Sequence, residues 1–268
     1  MKISFSTLGC PRWSWNDIVT TAADLKYNGI EVRGVGKDIS APSIPQFGAD
    51  MLPATKEQLK KLGLEIPCLT SDICLHVRER EDEVMREIAA YIDLAAVMGV
   101  PYIRIMGCAG VAQPTGQVDA GYVRDMAARC GALAAEKGVT LLMETNGVWA
   151  QTDKLRRLLD DIDLPNVAAL WDVNHPYRYF GESAQTTWDN VGKYVRHMHL
   201  KDSVMQDGRA RYAILGYGDL PLEQIIETTQ KAGYEGFYSL EWLKRWDVTL
   251  EEPGIVLAHY VSYMRSFA

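Results

Sequence analysis

The chain has 268 residues, of which 47% are hydrophobic and 24% charged, and its formal net charge is −7. A composition of that kind buries a large core and excludes disordered and collagen-like classes. Because Lys and Arg are spread along an acidic chain, no basic patch is available to gather phosphates, so a nucleic-acid partner is not expected.

Five cysteines, Cys10, Cys68, Cys74, Cys108 and Cys130, form an odd set without C-x-x-C spacing. That argues against a disulfide framework and a structural zinc site, and for reduced thiols in the cytoplasm. The N-terminal residues read directly as strand, and no run of eighteen apolar residues occurs, so neither a signal peptide nor a membrane span is expected.

In chain order, apolar runs of strand length occur at 3–8, 29–33, 66–70, 102–106, 140–144, 168–172, 195–200 and 237–241. Segments of helical periodicity lie between them, such as Ile88, Ile92, Ala95 and Ala96 before Gly99, or Val123, Ala127, Cys130 and Ala134 before Gly138. Gly29, Gly63, Gly99, Gly138 and Gly233 each follow such a segment, where a left-handed glycine caps a helix and returns the chain to the sheet. Eight alternating units without a Gly-rich dinucleotide fingerprint predict a single (β/α)8 TIM barrel spanning 1–268, close to the length of about 250 residues usual for that fold. Two long loops, 34–53 and 201–218, follow strand ends and belong to the active face of such a barrel.

Four successive strands end in ionisable groups: Glu144, Asp172, His199 and Glu241. Carboxylates at the ends of buried strands are costly unless paired or bound to a cation, and four neighbouring strands deliver theirs to one rim. The joint placement predicts one divalent metal ion. Three carboxylates and an imidazole favour Mn²⁺, with Mg²⁺, Co²⁺ and Zn²⁺ as alternatives.

The sequence resembles the xylose isomerase-like TIM barrel superfamily, the sugar phosphate isomerases/epimerases, over essentially its whole length. The resemblance rests on Phe5-Ser6-Thr7-Leu8-Gly9-Cys10-Pro11, Gly29-Ile30-Glu31-Val32-Arg33, His199-Leu200-Lys201-Asp202 and Ser239-Leu240-Glu241-Trp242 with Lys244-Arg245-Trp246. It implies that Glu144 and Glu241 both bind metal and move protons, and that His175, three residues after Asp172, touches substrate. Met205 stands where ketose 3-epimerases carry a substrate-binding arginine, whereas Lys201-Asp202 resembles the inositol-catabolic branch, which includes isomerases and a dehydratase.

The expected reaction is a metal-dependent isomerisation or epimerisation of a sugar or polyol through an enediolate, with Glu144 and Glu241 as acid and base. His175 and Lys201 are candidates to bind oxygens that gain charge; the plainer alternative for Lys201 is a surface pair with Asp202. Among the tryptophans that follow strands, Trp149 and Trp242 are chosen as sugar-stacking residues. His197 is read as pointing away from the site, and Arg209 and Arg211 with Gly216-Tyr217-Gly218 as a mobile loop with ordinary basic residues in preference to a phosphate cradle at helix-terminal amides. Competing readings are an inosose-type dehydratase, a multi-zinc nuclease acting on abasic DNA, for which five histidines are few, and a sugar-binding barrel without turnover. A homo-oligomer is compatible with exposed tryptophans.

Overall fold

The computed structural model describes residues 1–109 and 117–267. Ten strands occur among them: β1 (Lys2–Ser6), β2 (Gly29–Glu31), β3 (Cys68–Cys74), β4 (Tyr102–Met106), β5 (Thr140–Glu144), β6 (Val167–Asp172), β7 (Val195–Leu200), β8 (Asp202–Gln206), β9 (Arg209–Ala213) and β10 (Phe237–Leu240). The helices are α1 (Trp15–Asp24), α2 (Leu52–Leu62), α3 (Glu81–Met98), α4 (Ala120–Ala135), α5 (Thr152–Ile162), α6 (Asn174–Phe180), α7 (Ala184–Val191), α8 (Leu222–Lys231) and α9 (Pro253–Arg265).

Eight strands pair in parallel in the order β2-β1-β10-β7-β6-β5-β4-β3. Parallel bridges Gly29↔Glu65 and Val32↔Leu69 bring the two ends together. This is the (β/α)8 TIM barrel read from the strand and helix alternation. Each of the eight expected apolar runs overlaps one barrel strand.

The outer core lies between strands and helices, where faces such as Val84, Ile88, Ile92 and Ala95 of α3 pack on Ile103 and Ile105 of β4. Gly63, Gly99, Gly138 and Gly233 adopt φ of +67°, +78°, +69° and +76° at the helix exits, as the spacing predicted. Gly29 departs from that expectation. It lies inside β2, Lys26 takes the positive φ of 65°, and a Cβ on Gly29 would come within 2.9 Å of Glu65 O and the Phe237 ring. Close strand packing, not helix capping, requires glycine there.

The 34–53 loop is tied down by buried Ala41, Ile44 and Phe47. The 201–218 stretch, read as a loop, contains the antiparallel hairpin β8–β9, in register from Asp202↔Ala213 to Gln206↔Arg209. Asp207 and Gly208, with φ of 50° and 72°, make its two-residue turn. No helix among the described residues is long and apolar enough to cross a membrane.

Candidate metal and active site

Along a strand, residues two apart face the same side. Leu142 and Glu144, Leu170 and Asp172, and His197 and His199 therefore share the inner face of the barrel, with the ionisable member nearer the C-terminal rim. Asp172 on β6 is the register partner of His199 on β7, and Glu241 follows β10 with its backbone N–H bonded to Leu200 O at 3.0 Å.

The four groups expected to meet fall into two overlapping donor sets. Donor atoms of Asp172, His199 and Glu241 lie within 4.8 Å of one another, and so do those of Glu144, Asp172 and His175, the two sets sharing Asp172. His199 Nδ1 is 3.4 Å from Glu241 Oε1 and 4.0 Å from Asp172 Oδ2. An octahedral ion with donors at about 2.1 Å separates neighbouring donors by about 3.0 Å and opposite ones by about 4.2 Å. The observed spacing fits that range.

Hydrogen bonding supports the same fit. His199 Nδ1 is a buried atom that makes no hydrogen bond, and Glu144 Oε2 and Asp172 Oδ2, also buried, have only the Arg104 and Lys201 cations as polar partners. On His199 the other ring nitrogen, Nε2, donates to Glu31 Oε1 at 2.9 Å, leaving the Nδ1 lone pair facing the carboxylates when the ring is neutral. A carboxylate that fixes the tautomer in this way is the usual partner of a metal-binding imidazole. The residues present therefore suit a divalent cation.

Glu31, on β2, holds more than one partner. Its Oε2 accepts from His197 Nε2 at 2.7 Å and its Oε1 from Thr70 Oγ1 at 2.7 Å, all fully buried. Burial alone would raise its pKa, but the charges and hydrogen bonds of His199 and His197 pull it well below the usual glutamate range. His197 consequently points into the barrel, contrary to the outward orientation expected of it; standing two residues from His199, it must share that residue's face. His197 and His199 each bond Glu31, so the three form a buttress and not a second ion site.

Each glutamate of the mouth has a cation beside it. Arg104, inside β4 and 5% exposed, places Nε 3.1 Å from Glu144 Oε2. Lys201 is equally buried and bridges Asp172 Oδ2, at 2.5 Å, to Glu241 Oε2. Burial lowers a lysine pKa, yet the charges of Asp172 and Glu241 outweigh it, so Lys201 is held well above its ordinary value and stays charged. Burial raises the Glu241 pKa, but Lys201 and His199 outweigh that and depress it to about 2. His199 is raised to about 9 because Glu31 and Glu241 overcome the cost of burying its charge.

Asp202 does not pair with Lys201 at the surface. Its carboxylate accepts the backbone N–H groups of Ser203, Gly216, Gly218 and Leu220, at 2.8, 2.9, 2.9 and 3.3 Å, fastening the hairpin to the barrel. The same bonds occupy the amides of Gly216 and Gly218, which are therefore not free to cradle a phosphate.

A cavity of about 430 Å³ opens above the cluster, lined by Glu144, Glu241, Lys201, His175, Arg104 and Arg33 and, towards its rim, by Tyr212, Leu243, Trp246 and Asp247. His175 Nδ1 donates to Thr145 O at 3.0 Å, which leaves Nε2 as the acceptor of the neutral ring. Trp149 and Trp242 do not line this cavity. Trp242 is 1% exposed and donates Nε1 to Glu251 O at 3.0 Å, and Trp149 faces a separate cleft of about 530 Å³ beside α4 and α5. The tryptophan at the mouth is Trp246, from the motif Lys244-Arg245-Trp246.

Comparison with known proteins agrees with this fold. The family model described as xylose isomerase-like TIM barrel matches residues 19–259. Fructoselysine 3-epimerase of Shigella flexneri is 24% identical over 252 residues, covering 90% of each chain. The structure of the probable 3-DHS dehydratase of petrobactin synthesis from Bacillus anthracis superposes with a TM-score of 0.78 at 18% identity, covering 99% of both chains. A xylose isomerase-like protein from Mycobacterium smegmatis in complex with magnesium gives 0.74 at 16% identity, covering 98% of this chain and 94% of that one.

Proposed function

The chain belongs to the xylose isomerase-like TIM-barrel family, and from that premise we propose that it is a divalent-metal-dependent isomerase or epimerase of a sugar or polyol ketone. Glu144, Asp172, His199 and Glu241 would hold the ion, with Mn²⁺ favoured by three hard oxygen donors and an imidazole. When bound, the ion supplies the charge that polarises the substrate carbonyl.

Proton movement falls to the two glutamates. In the sheet, β6 and β7 separate the strands that carry Glu144 and Glu241, so these carboxylates approach a bound ketone from different sides. One removes the proton next to the carbonyl, giving an enediolate, and the other returns a proton. Return to the same carbon from the opposite face yields the epimer, and return to the neighbouring carbon yields the isomer. Lys201 and His175 line the same cavity, and the Lys201 ammonium would bind the oxygen gaining negative charge and His175 Nε2 a substrate hydroxyl.

The observation that carries this reading is the pairing of each glutamate with its own buried cation at one cavity, beside a buried His199 Nδ1 that makes no hydrogen bond. Dehydration is the second reading. It uses the same first step: the glutamate that took the proton would return it to the departing hydroxyl, and the charged Lys201 ammonium beside Glu241 would hydrogen-bond that oxygen as water leaves.

The test is solvent exchange. Manganese-loaded protein incubated in deuterated water with ketoses and inososes should incorporate deuterium next to the carbonyl, and stripping the metal with EDTA should stop it. A product of unchanged composition selects isomerisation or epimerisation, and one lacking water selects dehydration. Absence of exchange across the panel would reduce the protein to a sugar-binding barrel.

A further inference from the structure

We propose that the substrate is a ketosugar attached to a second, uncharged ring, and that Trp246 is the platform on which the second ring lies. The inference rests on the enolising ketone site proposed above and names what lies beyond it.

Size is the first argument. A free hexose displaces about six or seven waters' worth of liquid, roughly 200 Å³ at about 30 Å³ per water. The mouth cavity holds about 430 Å³. A single sugar seated at Glu144, Glu241 and Lys201 leaves about half of that space, and the remainder extends to Leu243, Trp246 and Asp247.

The construction of the rim is the second. Trp246 is 57% exposed although it stands in a tightly fastened loop. Lys244, buried, donates its ammonium to Val248 O at 2.8 Å and to Leu250 O, and pairs with Glu252 at 3.0 Å. Trp242 holds Glu251 O, and Trp246 N–H is bonded to Leu243 O at 2.9 Å. The Arg33 guanidinium lies 5.8 Å from the Trp246 ring centroid and is itself anchored to Ile39 O and Asp72. A large apolar face held rigidly in the open, on the wall of a cavity, is suited to receive a partner's apolar face.

Charge is the third. The rim carboxylates are already engaged, Asp72 by Arg33 and Asp247 by the Thr249 N–H at 3.0 Å. Among the described residues that line the cavity, the cations Arg33, Arg104 and Lys201 are each ion-paired to a carboxylate, so the indole is left for a neutral ring, either a second sugar or an aromatic group.

A matched pair of probes tests this on the manganese-loaded protein: methyl and phenyl 3-keto-β-D-glucopyranoside, titrated by calorimetry and assayed separately for deuterium exchange. The phenyl compound should bind at least tenfold more tightly. Trp246→Ala should collapse that ratio, Trp246→Tyr should restore most of it, and Tyr217→Ala, which removes an exposed aromatic outside the cavity, should leave it intact. Equal affinities, failure of both probes to bind, or a ratio that survives Trp246→Ala would overturn the second-ring assignment. Exchange is read independently: if both probes bind with the expected ratio but neither exchanges, the enolisation reading fails while the platform stands.

Discussion

The two ends of the barrel interior are built on the same strands and differ completely. Near the N-terminal end, Leu142, Ala168 and Leu170 form a small apolar cluster with Tyr102, separate from the main core. Two residues further along three of those strands stand Arg104, Glu144 and Asp172. A step of about 7 Å along a strand thus takes the interior from hydrocarbon to concentrated charge. The plug offers nothing reactive, and its contribution is burial. Every ionic group of the mouth costs desolvation that only its partners offset, an arrangement retained where it does chemistry.

Substitution at the two levels is the sharpest way to break that contrast. Glu144→Gln and Glu241→Gln keep shape and remove the acid–base function, so exchange should fall by about 10²–10⁴-fold. Metal content has to be measured on each variant, because both residues are also donors. Leu170→Ala, in the plug, should instead lower unfolding free energy by about 2–5 kcal/mol while the folded fraction keeps its exchange rate. Full exchange in a metal-loaded glutamine variant, or an inactive but fully folded Leu170→Ala, would erase the division between the two levels.

A second difference concerns pH, since the buried plug residues Leu142, Ala168 and Leu170 carry no ionisable group and the mouth has His199. In metal-free protein the His199 pKa is raised from 6.5 to about 9, burial being outweighed by Glu31 and Glu241. A raised pKa means that the charged ring stabilises the fold fully below about 6.5, and that this contribution is lost as pH rises through about 9. Metal uptake runs the other way, because the ion requires the neutral ring. Each pH unit below about 9 should weaken metal binding about tenfold, or about 100-fold between pH 9 and 7. Calorimetric metal titrations across that range, beside thermal unfolding of the stripped protein, should give opposite slopes. Parallel slopes would mean that His199 is not the coupling group.

The difference between the levels was only partly legible in the sequence. Strand ends were readable because Glu144, Asp172, His199 and Glu241 each terminate an apolar run. Glu31 and Arg104 were not, because each lies inside a run and was absorbed into the apolar pattern. The signal was present nonetheless: an ionisable side chain within a doubly buried strand must have an inward partner. The inward face of His197 was legible from its two-residue offset from His199. The Asp207-Gly208 pair between alternating residues announced a hairpin that was read as loop. Trp149 and Trp242 illustrate a different limit, since position after a strand does not reveal whether an indole turns to the cavity or, as in Trp242, to a backbone carbonyl behind it.

Glu31 joins the two levels. It stands beneath the donors and above the plug, and it touches no cavity, so a role in positioning His199 must be separated from simple packing. Glu31→Gln preserves volume but replaces one acceptor oxygen by an amide NH₂. Two histidine N–H groups and the Thr70 hydroxyl now share the acceptors of Glu31. The amide can accept through its oxygen alone, and whichever imidazole meets the NH₂ must present a bare Nε2 and carry its proton on Nδ1. For His199 that tautomer blocks the donor atom. Metal affinity should therefore fall about 10–100-fold, as is typical when the partner of a metal-binding histidine is lost. Nitrogen NMR of the stripped protein provides a readout that packing alone would not move, namely a shift of His199 towards the Nδ1–H form at high pH, where the ring is neutral. His197→Asn serves as the comparison, since it removes the neighbouring histidine and leaves the Glu31–His199 bond in place. If His197→Asn and Glu31→Gln weaken metal binding equally, or if the His199 tautomer is unchanged in Glu31→Gln, then Glu31 only fills space beneath the mouth.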